Sequence, residues 1–424
     1  MIKHLQLLVL FVIVLGCTDE TKKKAAHKKD RAAPQKVDQI HFFMETSASM
    51  EGYFKGGTEF VRDIANMMVD IEGSRLTPAQ PMQIYYIAGK AIPFTGETRD
   101  FIRQMATVKI ASSKSSDMHR IFQLIAGKTR PDDLSIFVSD CILSYPDSIV
   151  RRNPEINRQR AAGELRALMK STFRGLKKKG FCASLYGFNS DFNGNYYNYR
   201  NGKIKLVNQK RPYYLWVIGR KEQVAMFNRE LEGLRNFSPF LRLDFGIFDQ
   251  PVSQHQLFFA YQKQGDWRPD NGGIKELETS VKKPAAFAIG VDLGSLPGEL
   301  RDPKYLSSNI FPVSKNITFK IRKVLIAREV EKQKLKSAEK RILDGSSHVI
   351  LVEVTDFYED SGLIRLAMPL RYNERYRAFS IMDDLDASSI SGKTFAFEHL
   401  VDGVREAYQS PNENFISLSI PVKK

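Results

Sequence analysis

Histidine and cysteine are both scarce in this chain, with 7 and 3 residues among 424. The histidines are scattered and no HExxH or cysteine–histidine spacing occurs, so a zinc enzyme finds no support. Cys141 and Cys182 fall at opposite ends of two strands expected to run parallel. At about 3.3 Å per residue they are roughly 20 Å apart, too far for a disulfide, and buried free thiols are expected. No apolar run reaches the about 20 residues with which a helix spans a bilayer. The Gly-x-Ser-x-Gly elbow of serine hydrolases is missing as well. Acidic residues are in deficit, 48 against 64 Lys and Arg, for a net charge of +16. A nucleic-acid role would need a recognisable module or a basic stripe with stacking aromatics, and neither occurs. The charge reads instead as solubility and general attraction to anionic surfaces.

What the N-terminus does hold is a short positive start, Lys3 and His4, then an apolar run from Leu7 to Leu15. Its length suits a signal-peptide core. The run closes in Val14-Leu15-Gly16-Cys17. This ending resembles the bacterial lipobox, in which a small residue precedes the cysteine that is lipidated. The resemblance implies a signal peptide over 1–16, lipidation at Cys17 and a folded body held to a membrane outside the cytoplasm. An ordinary secretory signal is the other reading. Residues 17–37 carry Lys22, Lys23, Lys24, Lys28, Lys29 and Arg31 with almost no large apolar side chain, which predicts a flexible basic linker. Thr18 stands where an aspartate would resemble an inner-membrane retention signal, so the outer membrane is expected over the inner.

Residues 38–240 alternate strands and helices. Gln39 to Met44 is a short apolar strand; Thr58 is expected to cap a helix whose Phe60, Ile64, Met67, Met68 and Ile71 share one face. Strands are expected at Met82–Ala88, Leu134–Val138, Phe181–Phe188 and Tyr213–Ile218. Helices are expected at Asp117–Ala126, Glu155–Lys178 and Lys221–Leu234. Strands separated by helical crossovers predict an α/β fold with a doubly wound parallel sheet, where ligands bind at the carboxyl ends of the strands.

Three segments reach that edge. Glu45-Thr46-Ser47-Ala48-Ser49 follows the first strand, Ser139-Asp140 follows a later one, and Ser115-Ser116-Asp117 opens a helix. In this order they resemble the metal-ion-dependent adhesion site of von Willebrand factor type A domains, with Glu45 in place of the family's first aspartate. The resemblance implies Ser47, Ser49 and Asp140 as metal contacts, with Glu45, Ser116 and Asp117 as outer-shell or alternative ligands. The ion would be Mg2+ or Mn2+, which take hard oxygen ligands in near-octahedral geometry. Serines that merely cap a turn are the metal-free alternative. An insertion at Asn189–Arg211 leaves the same edge, with a hairpin turn expected at Asn201-Gly202. Its Tyr196, Tyr197 and Tyr199 suit contact with a protein or glycan, because tyrosine offers area and hydrogen bonds at low entropic cost. A solvent-exposed structural hairpin is the alternative.

Residues 241–424 read as β-rich, one domain or two small sandwiches, with strands at Phe258–Gln262, Ala285–Asp292, Ile317–Ile326, His348–Thr355, Leu363–Leu370 and Phe415–Val422. His348–Thr355 and Leu363–Leu370 are expected to pair. Arg328–Leu343 is expected as a surface helix and Phe395–Tyr408 as an amphipathic one. Ala387 to Thr394 fits the loose form of a phosphate-binding loop, but only 30 residues follow it, too few for the sheet this chemistry needs. It reads as an ordinary loop, and Asp383, Asp384 and Asp386 as a solvated turn. The whole predicts a cell-envelope lipoprotein that binds a protein or glycan through the strand-end face. A metal-free scaffold of an envelope complex is the first alternative and a hydrolase the second.

Overall fold

The computed structural model describes residues 37–74, 78–107, 110–111, 117–234, 237–248, 250–296, 298–371, 373–409 and 413–424. The expectations for Cys17, the signal peptide, residues 17–36 of the linker and Ser116 lie outside the described residues. Strand β1 (Ile40–Glu45) is buried along its whole length, as its apolar run requires. It pairs in parallel with β2 (Gln83–Ile87) on one side, while β3 (Ala91–Pro93) returns antiparallel beside β2. On its other side β1 pairs in parallel with β4 (Leu134–Ser139), Phe42 opposite Ile136.

Beyond β4 the sheet departs from the expected parallel order. Strands β5 (Phe181–Tyr197) and β6 (Lys203–Arg220) form one long hairpin, and β6 lies antiparallel between β4 and β5. With β7 (Leu241–Phe245) antiparallel to β5, the order is β3-β2-β1-β4-β6-β5-β7 in a mixed seven-stranded sheet. The reason is the connection. A tight turn, with Asn201 at φ +58° and the Asn198 N–H bonded to Gly202 O at 3.0 Å, can only join antiparallel strands. The expected insertion Asn189–Arg211 is therefore the continuation of two sheet strands.

Helix α1 (Glu59–Glu72) buries the five side chains that its spacing selects. Thr58 stands at its N-cap position, but the hydroxyl donates to the carbonyl of Tyr53 instead of capping. Helix α2 (Thr98–Thr107) was not visible in the sequence pattern; α3 (Met118–Lys128) opens on Asp117, whose carboxylate accepts from Arg120 N at 3.1 Å. The basic helix expected over Glu155–Lys178 is a π turn (Asn157–Ala161) running into α5 (Ala162–Lys178), and a short α4 (Asp147–Val150) precedes it. Helix α6 (Lys221–Glu232) precedes β7.

The chain continues through β8 (Gln256–Leu257), β9 (Asp266–Asp270), β10 (Gly273–Glu278), β11 (Ala285–Val291), α7 (Pro303–Asn309) and β12 (Phe311–Pro312). Then come β13 (Ile317–Ile326), α8 (Ser337–Asp344), β14 (His348–Phe357) and β15 (Ser361–Pro369). Last are β16 (Ser380–Ile381), β17 (Thr394–Phe395), α9 (Phe397–Tyr408) and β18 (Asn414–Lys423). Two sheets, β13-β14-β11-β8 and β12-β15-β18-β10-β9, share one core in which Phe287 and Val352 face Leu366 and Leu418.

The expected β14–β15 pairing does not occur. β14 pairs with β11 and β13, and β15 with β12 and β18, so the short link after Phe357 is a corner between sheets. A strand was expected at Phe258–Gln262, but the strand beside β11 is Gln256–Leu257, and Phe258 plugs a small core with Ala288, Leu343 and Val349. Of the helix expected over Arg328–Leu343 only α8 forms. Edge strand β13 exposes Lys320, Arg322 and Lys323 beside a bulge, a pattern that discourages edge-to-edge association.

Helix α9 returns to the first sheet. Phe397 stacks on Tyr214 at 4.1 Å, and α9 joins the core built on β1 to β7. It lies so close to α5 that a Cβ on Gly403 would sit 2.4 Å from the Arg166 carbonyl oxygen. Gly403→Ala is accordingly expected to cost about 1–3 kcal/mol by forcing the two helices apart. A lower urea midpoint at unchanged slope would register it.

Candidate functional site

Because β1 and β4 are parallel neighbours in register, Met44 opposite Val138, their carboxyl ends bring Glu45 and Ser139 together. Both residues are buried. The Ser139 hydroxyl donates to Glu45 Oε2, and the Ser47 hydroxyl donates to Oε1 at 2.6 Å. Ser47 Oγ in turn lies 2.9 Å from Ser49 Oγ. Backbone bonds from Thr46 N to Ile87 O (3.0 Å) and from Met50 N to Ser47 O (3.1 Å) fix the loop between β2 and the 3-10 turn Ala48–Phe54.

Asp140 follows Ser139 and is buried. Its Oδ1 accepts from Ile142 N at 3.2 Å, while Oδ2 is buried without a hydrogen-bond partner. Burial raises the Asp140 pKa, against the opposing effects of the Ser49 hydroxyl, the Ile142 N–H and the Arg211 charge. Cys141, in left-handed backbone at φ +55°, donates its N–H to Ser139 Oγ at 2.7 Å. Burial pushes the thiols of Cys141 and Cys182 up, and both cysteines are free and buried, as their spacing implied.

These oxygens fit a small hard cation. Adjacent ligands of an octahedral ion with bonds of 2.0–2.1 Å lie about 2.9 Å apart, the separation of the two serine hydroxyls. Ser47 gives its proton to Glu45, so its contact with Ser49 uses a lone pair that an ion would take over, and Asp140 Oδ2 is an acceptor without a hydrogen-bond partner. Ser47, Ser49 and Asp140 are the residues that would hold an ion, with Glu45 behind them receiving two hydroxyl protons. Asp117 is spent on capping α3 and is exposed. Among the described residues no group of three or more His, Cys, Asp or Glu forms a metal cluster, so the hydroxyls are indispensable to such a site.

The loop opens on a cleft of about 250 Å³, which Ser144, Asp147, Tyr197, Asn201 and Lys203 complete. The hairpin closes down on the loop: Gly194 lies so near Gly52 that a Cβ would sit 2.8 Å from its Cα. At the tip, Asn201 Nδ2 donates to Tyr145 O at 3.1 Å and to Asp147 Oδ1 at 2.7 Å. Of the three tyrosines expected to meet a partner, Tyr197 lines the cleft, but Tyr196 and Tyr199 are buried and offer it no surface. Alternation along the strand turns Tyr196 inward, where its hydroxyl donates to Asp384. Tyr199 stacks on Phe395 at 5.8 Å and gives its N–H to Asp384 Oδ1 at 2.9 Å.

Asp384 is thus buried rather than part of a solvated turn, and burial raises its pKa against the pull of Tyr196, Tyr199 and Arg211. Arg211 was missed altogether. In the sequence it follows Lys210 in a basic stretch and reads as exposed, yet it is buried. The loop before Thr394 wraps around it, and Arg211 Nη1 donates to Ile390 O and Lys393 O, each at 2.6 Å. No protein family, curated protein or solved structure matches the chain.

Helix α1 is pinned beside this site by Glu59. Burial alone would raise its pKa, but the Asp191 N–H at 2.7 Å and the Lys210 ammonium outweigh it and bring it down to about 2. A carboxyl depressed on folding stabilises fully above its unfolded value of about 4.3 and loses that contribution as the pH falls toward the folded value. Glu59→Gln is expected to lower stability at pH 7 by on the order of 1 kcal/mol, since the pair is partly solvent-screened. The deficit should vanish near pH 2, as thermal unfolding at the two pH values would reveal.

Proposed function

We propose that this chain is a cell-envelope binding protein whose α/β region engages a protein or glycan partner through a divalent cation at the carboxyl edge of the sheet. The observation that carries the reading is the buried, unpartnered Asp140 Oδ2 beside two serine hydroxyls at octahedral ligand spacing. The parallel centre β2-β1-β4 supports a von Willebrand factor type A-like ancestry, modified by the antiparallel β6, β5 and β7. When bound, Mg2+ or Mn2+ would present an open coordination position to an acidic group of a partner. The chain's own residues orient it: Glu45 fixes the Ser47 hydroxyl, Ser139 fixes Glu45, and the hairpin tip walls the cleft with Tyr197, Asn201 and Lys203. Lipid attachment at Cys17, with the outer membrane as destination, completes the proposal.

A metal-free scaffold is the second reading, favoured by the pairing of both Glu45 oxygens with serine hydroxyls. A hydrolase ranks below both. Among the described residues no histidine lines the cleft, and His41 sits at the opposite end of β1, paired with Asp133 at 3.0 Å. Calorimetric titration of Mg2+ and Mn2+ tests the choice. Saturable binding that the Ser47→Ala, Ser49→Ala double variant weakens at least about tenfold is expected, since both changes delete direct oxygen ligands. Absence of binding in the wild type would leave the scaffold reading.

A further inference from the structure

A buried guanidinium is costly, because its charge is permanent and its hydration is lost. Arg211 bears that cost at 1% exposure. Among the described residues it makes no ion pair within 4 Å. Nη1 is satisfied by the carbonyls of Ile390 and Lys393, the plane lies over the Tyr196 ring at 4.5 Å, and Nη2 has no partner. Packing alone gives no reason for a cation here, where an uncharged chain would cost less.

The surroundings supply one. Lys393, whose carbonyl Arg211 holds, is followed by Thr394, whose hydroxyl reaches the Asp140 carbonyl at 3.5 Å. On the other side Asp384 grips the hairpin through Tyr196 and Tyr199. Both carboxylates feel the Arg211 charge. Arg211 is therefore joined to the acid of the proposed cation site through Lys393 and Thr394, and to the acid that holds the hairpin through the Tyr196 ring.

We propose that Arg211 is an internal countercharge, a positioning residue that sets how tightly the site at Ser47, Ser49 and Asp140 holds a divalent cation and ties that affinity to the hairpin anchor at Asp384. The inference rests on the cation reading above. Arg211 balances Asp140 and repels an incoming divalent ion, so the site binds more weakly than its oxygens alone would dictate. Asp384 offsets part of the Arg211 charge and acts in the opposite direction. In a buried setting of low effective dielectric these effects survive at physiological salt.

The sign of the effect separates this role from simple support. Mn2+ binding to the full chain, followed by electron paramagnetic resonance, is expected to tighten by about fivefold or more in Arg211→Gln, because a repelling charge is gone. Arg211→Lys, which restores the charge, is expected to return to within about threefold of the wild type. Asp384→Asn should weaken binding by about threefold or more, since the Arg211 charge is then less balanced. A merely structural Arg211 predicts weaker binding in all three variants, and that result overturns the inference, as does binding unchanged throughout. Should Arg211→Gln not fold, the contrast between Arg211→Lys and Asp384→Asn decides: retained affinity in the first with loss in the second supports the countercharge, and loss in both overturns it. A wild type that binds no Mn2+ overturns the cation reading and the inference with it.

Discussion

A carboxylate buried at the end of a strand must find donors, and Glu45 finds them in two serines from different segments. Ser139 reaches it only because β1 and β4 run parallel and in register; Ser47 reaches it only because the chain turns sharply after Glu45. Leaving such a group unpaired costs about 1–3 kcal/mol or more. The pairing therefore sets the loop as firmly as the sheet does. With the loop set, Ser49 stands beside Ser47, and Asp140, next to Ser139, keeps a buried oxygen without a hydrogen-bond partner. The longer side chain of glutamate suits a post behind the serines, where it receives the Ser47 and Ser139 protons.

Around that post the cleft is assembled from segments far apart in the chain. The loop after β1 supplies the hydroxyls, the hairpin supplies Tyr197, Asn201 and Lys203, and the segment from Asp384 to Thr394 closes from behind. The hairpin is rigid for a long arm. Its root belongs to the sheet, Asn201 ties its tip to Asp147, and Asp384 holds its flank. A wall held at three places can define the shape of what enters.

Local patterns carried much of this. The apolar run of β1, the one-sided stripe of α1, the Ser-Asp pair after β4 and the Asn-Gly turn were each legible, because each depends on neighbours within a few residues. Strand direction was not. Periodicity marks Tyr213–Ile218 as a strand but says nothing of its sense, and treating Asn189–Arg211 as an insertion hid the hairpin that decides it. The same blindness misassigned β14 and β15, where a short turn joins two sheets instead of two partners. At the site, Ser47, Ser49, Glu45 and Asp140 are brought together by strand ends, whereas Asp117 is drawn off to cap a helix. Tyr196 and Asp384 looked polar and solvent-facing because their partner is distant in sequence. Arg211 left no signal at all: a buried cation surrounded by carbonyls reads like any other lysine-flanked arginine until the loop that wraps it is folded.

The path of the chain between its two cores has a consequence for how it folds. After β7 it leaves to build the second pair of sheets, comes back as α9 to complete the first core, and leaves again as β18. β18 lies between β15 and β10 in the interior of its sheet, so the last strand of the chain joins the two parts of that sheet. The two cores are thus interleaved along the chain, which favours their unfolding together as one cooperative unit. It also ties the site to a residue 254 positions from Asp140: a chain stopped before Thr394 would carry every cleft hydroxyl yet lack the segment that closes behind Asp140.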